Sequence, residues 1–599
     1  MRKKFKAAAA AAMVFLLIFS SCGTKSPAQP DVSSEAAEAE DSETEDKYEE
    51  LKEELRAVPH DPPRDNDLLY KDDDPGSVVT MYLTVSRGNE YENTDHSWEE
   101  INKYSAYDYE KMKVTRYKIQ GLLQVGDEDG PTEGMVGYGE SIPNAEVQIR
   151  GQISTQEAQK GFKIELKDGM GSWRGQTTIN LNKHPGDYTR IRNKLCYDLL
   201  KDIPELLGAR TQFVNLYVKD LSGGEENAEF VDYGLFTHVE QMNRAYLRAR
   251  GLDEDGQMYK NNSFEFTDFD NRIHTVGDPE YNEKRFEEVL ESKGNDDHSK
   301  FIEMLADLNN LSLPIEEVFE KWFDEENFFN WLAFNILVGN ADTINRNTFL
   351  YSPREQNTWY LISWDIDAAF RKNEERLRGN YDEGSTHVGV GNYWGNTLYQ
   401  RVLKSEHYRE VLDEKINYLR GILTEEKIRS LIDIYNPAAE KYIYQEPDIE
   451  YMRRTKEERR RILDAIPGEV ELNYQLYAEN LKAPMPFYMS IGTDEYEDEV
   501  VWDAAFDFDG EAVTYTVEIA RDLYFEDVIF EESGIIIPRI KLPALETGDY
   551  CIRVTAVNES GYSQRAMETV ITVSGMHYGI REFGVDRDGS IWEKASEED

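Results

Sequence analysis

The chain has 599 residues, 40% of them hydrophobic and 12% aromatic, with a formal net charge of −50 at pH 7. That length calls for roughly three to four domains, and the apolar content excludes a wholly disordered chain. The acidic balance excludes nucleic acid, whose phosphates are bound through an excess of Lys and Arg, and flat adsorption onto an anionic membrane.

Met1-Arg2-Lys3-Lys4 and Lys6 make a basic start, Ala7 to Phe19 a short apolar core, and Ser20-Ser21-Cys22-Gly23 a small-residue close. This is the layout of a secretory signal over residues 1–22, too short for a lasting membrane span. A Cys directly after small residues resembles a bacterial lipobox, with Phe19 where that pattern prefers Leu. The resemblance implies lipidation at Cys22 and a place on the outer face of the bacterial cell membrane. From 23 to 76 the Ser, Ala, Glu and Asp content predicts an extended, self-repelling tether. Cys196 and Cys551 fall in different predicted domains and are expected as buried thiols.

Residues 77–262 read as a β-rich lobe. Strand patterns run from Val78 to Val85, within Lys113 to Leu123, and from Val147 to Ile149. Then Gln148 to Thr155 and Lys160 to Lys167 form a strand–turn–strand. In the second piece Phe162, Ile164 and Leu166 face one way, Lys163 and Glu165 the other. With Gly151 and Ser154 at its turn, this unit is suited to cover phosphates with backbone N–H groups, although a plain polar hairpin reads alike. Asp187 to Leu200 predicts a helix with Asp187 as its cap. Gln212 to Val218, Tyr233 to Glu240 and Gln257 to Lys260 predict further strands. Residues 263–325 read as an acidic helical insertion, with a helical piece from Phe301 to Leu308.

The stretch Asn327 to Phe370 opens as an apolar segment, breaks at Gly339 and sets Asp342 five positions before Asn347. A strand pattern from Thr348 to Tyr351, a turn at Ser352-Pro353 and a second strand pattern from Trp359 to Trp364 then deliver Asp365 and Asp367. A base-plus-amide loop, a hairpin and a late carboxylate follow the order of the catalytic half of a phosphotransferase. The remainder of 326–482 has helical spacing, and the basic run Tyr451 to Arg461 predicts a solvated helix face. The two lobes predict an α+β body with a cleft between them.

Residues 484–575 carry short turn-separated strand patterns. The run Gly548 to Gly561, with Trp502 upstream, resembles a fibronectin type III sandwich, an all-β module of the immunoglobulin-like kind. Residues 576–599 read as a tail.

Histidine and cysteine spacing gives no H-E-x-x-H and no zinc pattern, and neither G-x-S-x-G nor a P-loop occurs. What remains is Asp342, Asn347, Asp365 and Asp367. A carboxylate in a turn after a helix suits a general base for a hydroxyl, and an Asn oxygen with Asp oxygens suits Mg²⁺ shared with nucleotide phosphates. Each residue alone also fits a turn former or strand-end cap.

Arg150-Gly151…Ser154, Lys160…Lys163, Tyr233-Gly234-Leu235-Phe236…Glu240, Gly339-Asn340…Asp342…Asn347 and Trp364-Asp365-Ile366-Asp367 together resemble the CotH family of spore coat protein H-like atypical protein kinases, over about residues 77–480. The resemblance implies a two-lobed kinase-like fold and transfer of the ATP γ-phosphate to Ser or Thr of a protein substrate. It implies Asp342 as catalytic Asp, with Mg²⁺ or Mn²⁺ held by Asn347 and Asp365, and Asp367 beside them. Arg150, Ser154 and either Lys160 or Lys163 would face ATP, with Glu240 at the lysine or near the adenine. Alternation does not choose between the lysines. The chain departs from ordinary protein kinases in having no H-R-D, Asp365-Ile366-Asp367 in place of D-F-G, no A-P-E, and a single Gly in the phosphate loop. The alternatives are a non-catalytic surface protein binding a cell-envelope or extracellular partner, its fibronectin-like module included, and metal-dependent hydrolysis by the Asp365/Asp367 pair.

Overall fold

The computed structural model describes residues 62–593 apart from 225–226, 269–270, 383, 494–495 and 573–574. The predicted signal, Cys22 and the tether up to residue 61 lie outside the described residues. Eight strands build the first lobe: β1 (Val78–Ser86), β2 (Ile119–Asp127), β3 (Gly130–Pro131), β4 (Ala145–Arg150), β5 (Gly161–Leu166), β6 (Thr178–Asn182), β7 (Thr211–Asp220) and β8 (Val231–Glu240). They pair in the order β1-β7-β8-β6-β5-β4-β2-β3, and β1 also pairs with β2, so the sheet closes on itself. Only the β1–β7 contact is parallel. Closure hides the strand edges, and period-two patterning fills the interior with Leu83, Leu123, Ile149, Phe162 and Leu216.

The helix α1 (Arg192–Leu200) is buried along its whole length, packed with Phe213 and Val239 in a second core. Its charged side chains are matched within the protein: Arg192 pairs with Asp187 at 2.6 Å and Glu374 at 2.7 Å, and Lys194 with Asp198 at 3.0 Å. Asp187 also accepts the Arg192 backbone N–H at 3.1 Å, but the helix begins only at Arg192 with Ile191 at its N-cap position, so the expected start at Asp187 is a turn instead.

A second sheet holds β9 (Gln257–Asn261), β10 (Leu290–Ser292), β11 (Thr348–Ser352) and β12 (Tyr360–Ser363), in the order β10-β9-β11-β12. Against it lies α2 (Glu325–Val338), capped by Asp324 and ended by Gly339 in the left-handed region. Then come α3 (Glu425–Ile443) and α4 (Glu469–Asn480) among other helices. No helix of the described residues is long and apolar enough to cross a membrane.

Several boundaries differ from the sequence pattern. Residues 62–76 are docked to the body: Asp65 pairs with buried Arg250 at 2.8 Å and accepts from Tyr70 at 2.6 Å. Acidic composition conceals an Asp whose cation lies far along the chain. The 263–325 segment is no separate insertion, since β10 pairs with β9 and Phe286, Phe301, Phe319 and Trp322 enter the second core. Because β9 pairs with β11, it belongs to the second lobe. The basic run at 451–461 is not wholly a solvated face: Arg459 is buried and donates to the Thr189 carbonyl at 2.9 Å.

The C-terminal region folds as two principal antiparallel sheets around one core, with Trp502, Tyr515 and Ile552 inside. Residues 576–593 are part of it. Ile580–Val585 pairs with Gly548–Asn558, and Ile591–Glu593 pairs with Ile580–Val585. Gly579 and Gly584 interrupt the alternation that would have marked this strand. Trp394 packs on Phe506 at 5.4 Å, and Asn558 donates to the Lys482 carbonyl at 2.9 Å, so the region is seated on the helical lobe. Cys196 and Cys551 are both buried, and neither is in a disulfide.

Candidate active site

Gly339 takes φ +66°, and a Cβ there would stand 2.7 Å from the Asn473 amide, so only glycine ends α2 in this way. The loop that follows is pinned from several sides. Asn340 N–H donates to the Asn335 carbonyl at 2.9 Å, Asn392 donates to the Ala341 carbonyl at 3.1 Å, and Asn396 to the Ile344 carbonyl at 2.7 Å. Thr343 and Tyr393 share a hydroxyl bond of 2.9 Å. These ties fix the loop so that Asp342 and Asn347 meet: the Asn347 amide donates to Asp342 Oδ2 at 2.7 Å. That bond leaves the Asn347 carbonyl oxygen as the end available to a cation.

The hairpin β11–β12 brings Asp365 back to the same place. Its last pair is Thr348 with Ser363, and the Trp364 N–H donates to the Asn347 carbonyl at 3.2 Å. Asn347 and Asp365 both have positive φ, +57° and +50°. Asn and Asp are the non-glycine residues that best tolerate this left-handed conformation, and the two stand at the base of the same hairpin.

From the barrel side, the segment after β6 closes on this cluster. His184 Nδ1 meets Asp367 Oδ2 at 3.1 Å, and Asn182 accepts from Arg150 at the end of β4. The Arg150 guanidinium lies over the Trp364 ring at 5.5 Å. The adjoining Lys183 is locked to Asp448 at 2.7 Å, with both side chains almost fully buried.

The charges are unevenly balanced. Asp342, with its side chain 51% exposed at the mouth, has a pKa pushed up to about 6. Desolvation by the protein around it is the main cause even though half of the side chain is open to solvent; Asp365 and Asp367 add to it, while Arg346 at 3.9 Å and Asn347 only partly offset it. Asp365 is raised by burial and by Asp367, with Arg150, His184 and Lys260 pulling the other way. Asp367 is held low in spite of its burial, because His184 and Arg371 favour its anion.

The structure thus gathers Asp342, Asn347, Asp365, Asp367 and Arg150. Gly151, at φ +100°, opens the turn after Arg150, and a Cβ there would sit 2.1 Å from Ser154 Oγ, so Ser154 is folded over the turn. The other three predicted residues are engaged elsewhere. Lys160 bonds the Thr155 carbonyl of its own loop, and Lys163 pairs with Glu165 at 2.8 Å on the half-exposed face of β5. Glu240 is clamped by Arg210 at 2.5 Å and Arg250 at 3.0 Å, with no lysine beside it. The sequence reading did not single out His184, Lys260, Arg346 or Arg371. His184 carries one local signal, its place between a strand end and a Pro-Gly turn.

The donor set can be tested against a metal. Among the described residues no three His, Cys, Asp or Glu side chains converge to form a metal cage by themselves. Mg²⁺ shared with substrate phosphates takes one or two carboxylates and a few other hard oxygens. Asp365 with the Asn347 carbonyl, Asp367 adjacent, fits that description, and the raised pKa of Asp365 marks a carboxylate short of positive charge.

A family model described as CotH kinase protein matches residues 147–476, more than half of the chain. The chain is 23% identical over 338 residues to the inner spore coat protein H of Bacillus subtilis (strain 168), covering 55% of this chain and 86% of that protein. A solved HipA–HipB toxin–antitoxin complex with operator DNA from Shewanella oneidensis MR-1 aligns over 50% of this chain and 60% of that one. Its 11% identity and TM-score of 0.22 are too low to place any residue. The site is therefore seen through a family match that contains Arg150, Asp342, Asn347 and Asp365, and the chain belongs to the CotH kinase family.

Proposed function

We propose that the chain transfers the γ-phosphoryl group of ATP to a Ser or Thr hydroxyl of a protein substrate. The observation that carries this is the Asp342–Asn347 loop, pinned by the helical lobe and facing Asp365, a carboxylate short of cationic balance, with the His184-paired Asp367 beside it. The hydroxyl oxygen forms a bond to the γ-phosphorus, the bond from that phosphorus to the β,γ-bridging oxygen breaks, and ADP leaves. Asp342 accepts the hydroxyl proton on a carboxylate oxygen, and a pKa near 6 places it for that task at neutral pH. Asn347 holds Asp342 in place through its amide N–H and would offer its side-chain oxygen to the cation. Mg²⁺, held by Asn347 and Asp365 with Asp367 beside them, would neutralise charge on the phosphates. Arg150 supplies further positive charge at the barrel end.

The same reading places the chain outside the cell as a lipoprotein anchored through Cys22, with the C-terminal β region as a fibronectin-like spacer or binding module. The supports are the lipobox-like start and the strand pattern around Trp502. The test is transfer of labelled γ-phosphate with Mg²⁺ or Mn²⁺ to the chain itself and to candidate envelope proteins. Label incorporated by the wild type and absent with Asp342→Asn supports the reading; label from neither, with no nucleotide bound, overturns it.

A further inference from the structure

The lysines of β5 are turned away from the carboxylates, yet the site needs positive charge for a triphosphate. The second sheet supplies a candidate. Lys260 lies on β9, opposite Glu291 of β10 and Phe349 of β11. Residues directly opposite in an antiparallel pair share one face of the sheet. That face looks toward the barrel, because Phe349 packs edge-on against Trp364 at 5.4 Å and Arg150, at the end of β4, lies over the same Trp364 ring at 5.5 Å. Lys260 accordingly stands on the floor of the cleft, on the side of Arg150 and Asp365, and Asp365 feels the charge of both.

Lys260 is also short of partners. Among the described residues its ammonium makes neither a hydrogen bond nor an ion pair, whereas the buried Lys183 and Lys194 are held by Asp448 at 2.7 Å and Asp198 at 3.0 Å. Glu291, its neighbour across β10, is taken by Lys293. Lys260 is partly buried and its charge is answered only at a distance, by Glu291 and Asp365, so anionic oxygens placed directly at its ammonium would offset the cost of its burial. Arg150 acts on Lys260 and Arg116 acts on Arg150, so the cations of this recess stand close enough to share one polyanionic ligand, among the carboxylates Asp365, Asp367 and Glu291.

We propose that Lys260 is the phosphate-contacting lysine of this site, acting with Arg150 from the floor of the cleft, and that neither Lys160 nor Lys163 has that role. The assignment rests on the phosphotransfer reading above. It is tested on the purified protein by calorimetric titration of adenosine, AMP, ADP and ATP with Mg²⁺. Lys260→Met and Lys260→Gln are expected to weaken ATP by roughly 10- to 100-fold, as loss of a charge-assisted bond does, with a smaller loss for each phosphate removed and adenosine within about twofold. Lys260→Arg retains intermediate affinity, and Lys160→Met and Lys163→Met bind ATP within about twofold of wild type. Melting of each variant without nucleotide confirms the fold. Wild-type binding that Lys260→Met and Lys260→Gln leave intact, or an equal loss of adenosine and ATP, overturns the assignment alone. A wild type that binds no nucleotide overturns the phosphotransfer reading and this assignment with it.

Discussion

Two carboxylate clusters, one at each end of the barrel strands, make opposite use of the same side chain. Glu240, 2% exposed at the end of β8, is gripped by Arg210 and Arg250, and Arg250 is itself held by Asp65. Its pKa is pulled down to about 2, because the two arginines outweigh its burial. At the other end Asp342 is pushed up to about 6, and Asp365 is raised as well, with Asp367 as a like-charged neighbour. A carboxylate whose charge is fully matched within the chain is structural. One left under-matched beside a second carboxylate is stable only when something else brings positive charge, and that is the difference between a brace and a site.

The largest effect expected is catalytic. Asp342→Asn keeps the shape of the loop and removes the proton acceptor, so γ-phosphate transfer should fall by roughly 10²- to 10⁴-fold. Nucleotide affinity measured alongside should stay within a few-fold. A variant that transfers phosphate as well as wild type would dissolve the distinction between the two ends.

Next is the brace. Glu240→Gln leaves Arg210 and Arg250 in low dielectric without their anion, and should destabilise the protein by about 3–5 kcal/mol in urea unfolding. The pH dependence has a definite sign. A folded pKa of about 2, against an ordinary value of 4.5, contributes stability that is complete above about pH 4.5 and lost as pH falls through about 2. The wild type should lose on the order of 3 kcal/mol from this group across that window, and Glu240→Gln should lack that part of the acid response. Equal acid sensitivity in both proteins would count against the pairing.

Smaller, and of opposite sign, is Asp365→Asn in metal-free protein. Removing one of two neighbouring carboxylates relieves repulsion, so stability should hold or rise by up to about 1 kcal/mol while phosphate transfer is lost. A fall in stability like that of Glu240→Gln would show that Asp365 is braced rather than waiting for a cation. The smallest effect belongs to Lys163→Met. Its pair with Glu165 is partly solvated, 30% and 35% exposed, so unfolding should shift by less than about 1 kcal/mol.

Much of the scaffold was legible in local patterns. The alternation in Phe162, Ile164 and Leu166 marked β5, because a strand half-buried on one face writes a period of two into the chain, and the short Thr348 and Trp359 runs marked β11 and β12, which are buried throughout. The strand containing Phe583 was missed, since Gly579 and Gly584 interrupt that period. The β9–β11 pairing was missed because register between strands nearly ninety residues apart leaves no local trace, as seen in Lys260 opposite Phe349. In the site, the order Asp342, Asn347, hairpin, Asp365 was visible because those residues are neighbours in the chain.

Sequence by itself determined the kinds of groups available: an oxygen-rich set after a helix, two lysines on or near β5 and a buried Glu ending β8. Tertiary structure decided which of them meet. It joined His184 to Asp367 across 183 residues, gave Glu240 two arginines in place of a lysine, and set Lys260 on the floor beside Asp365. The physical reason is that backbone periodicity fixes which face a side chain takes, whereas the charge balance of a buried group is set by partners that only the folded chain brings near.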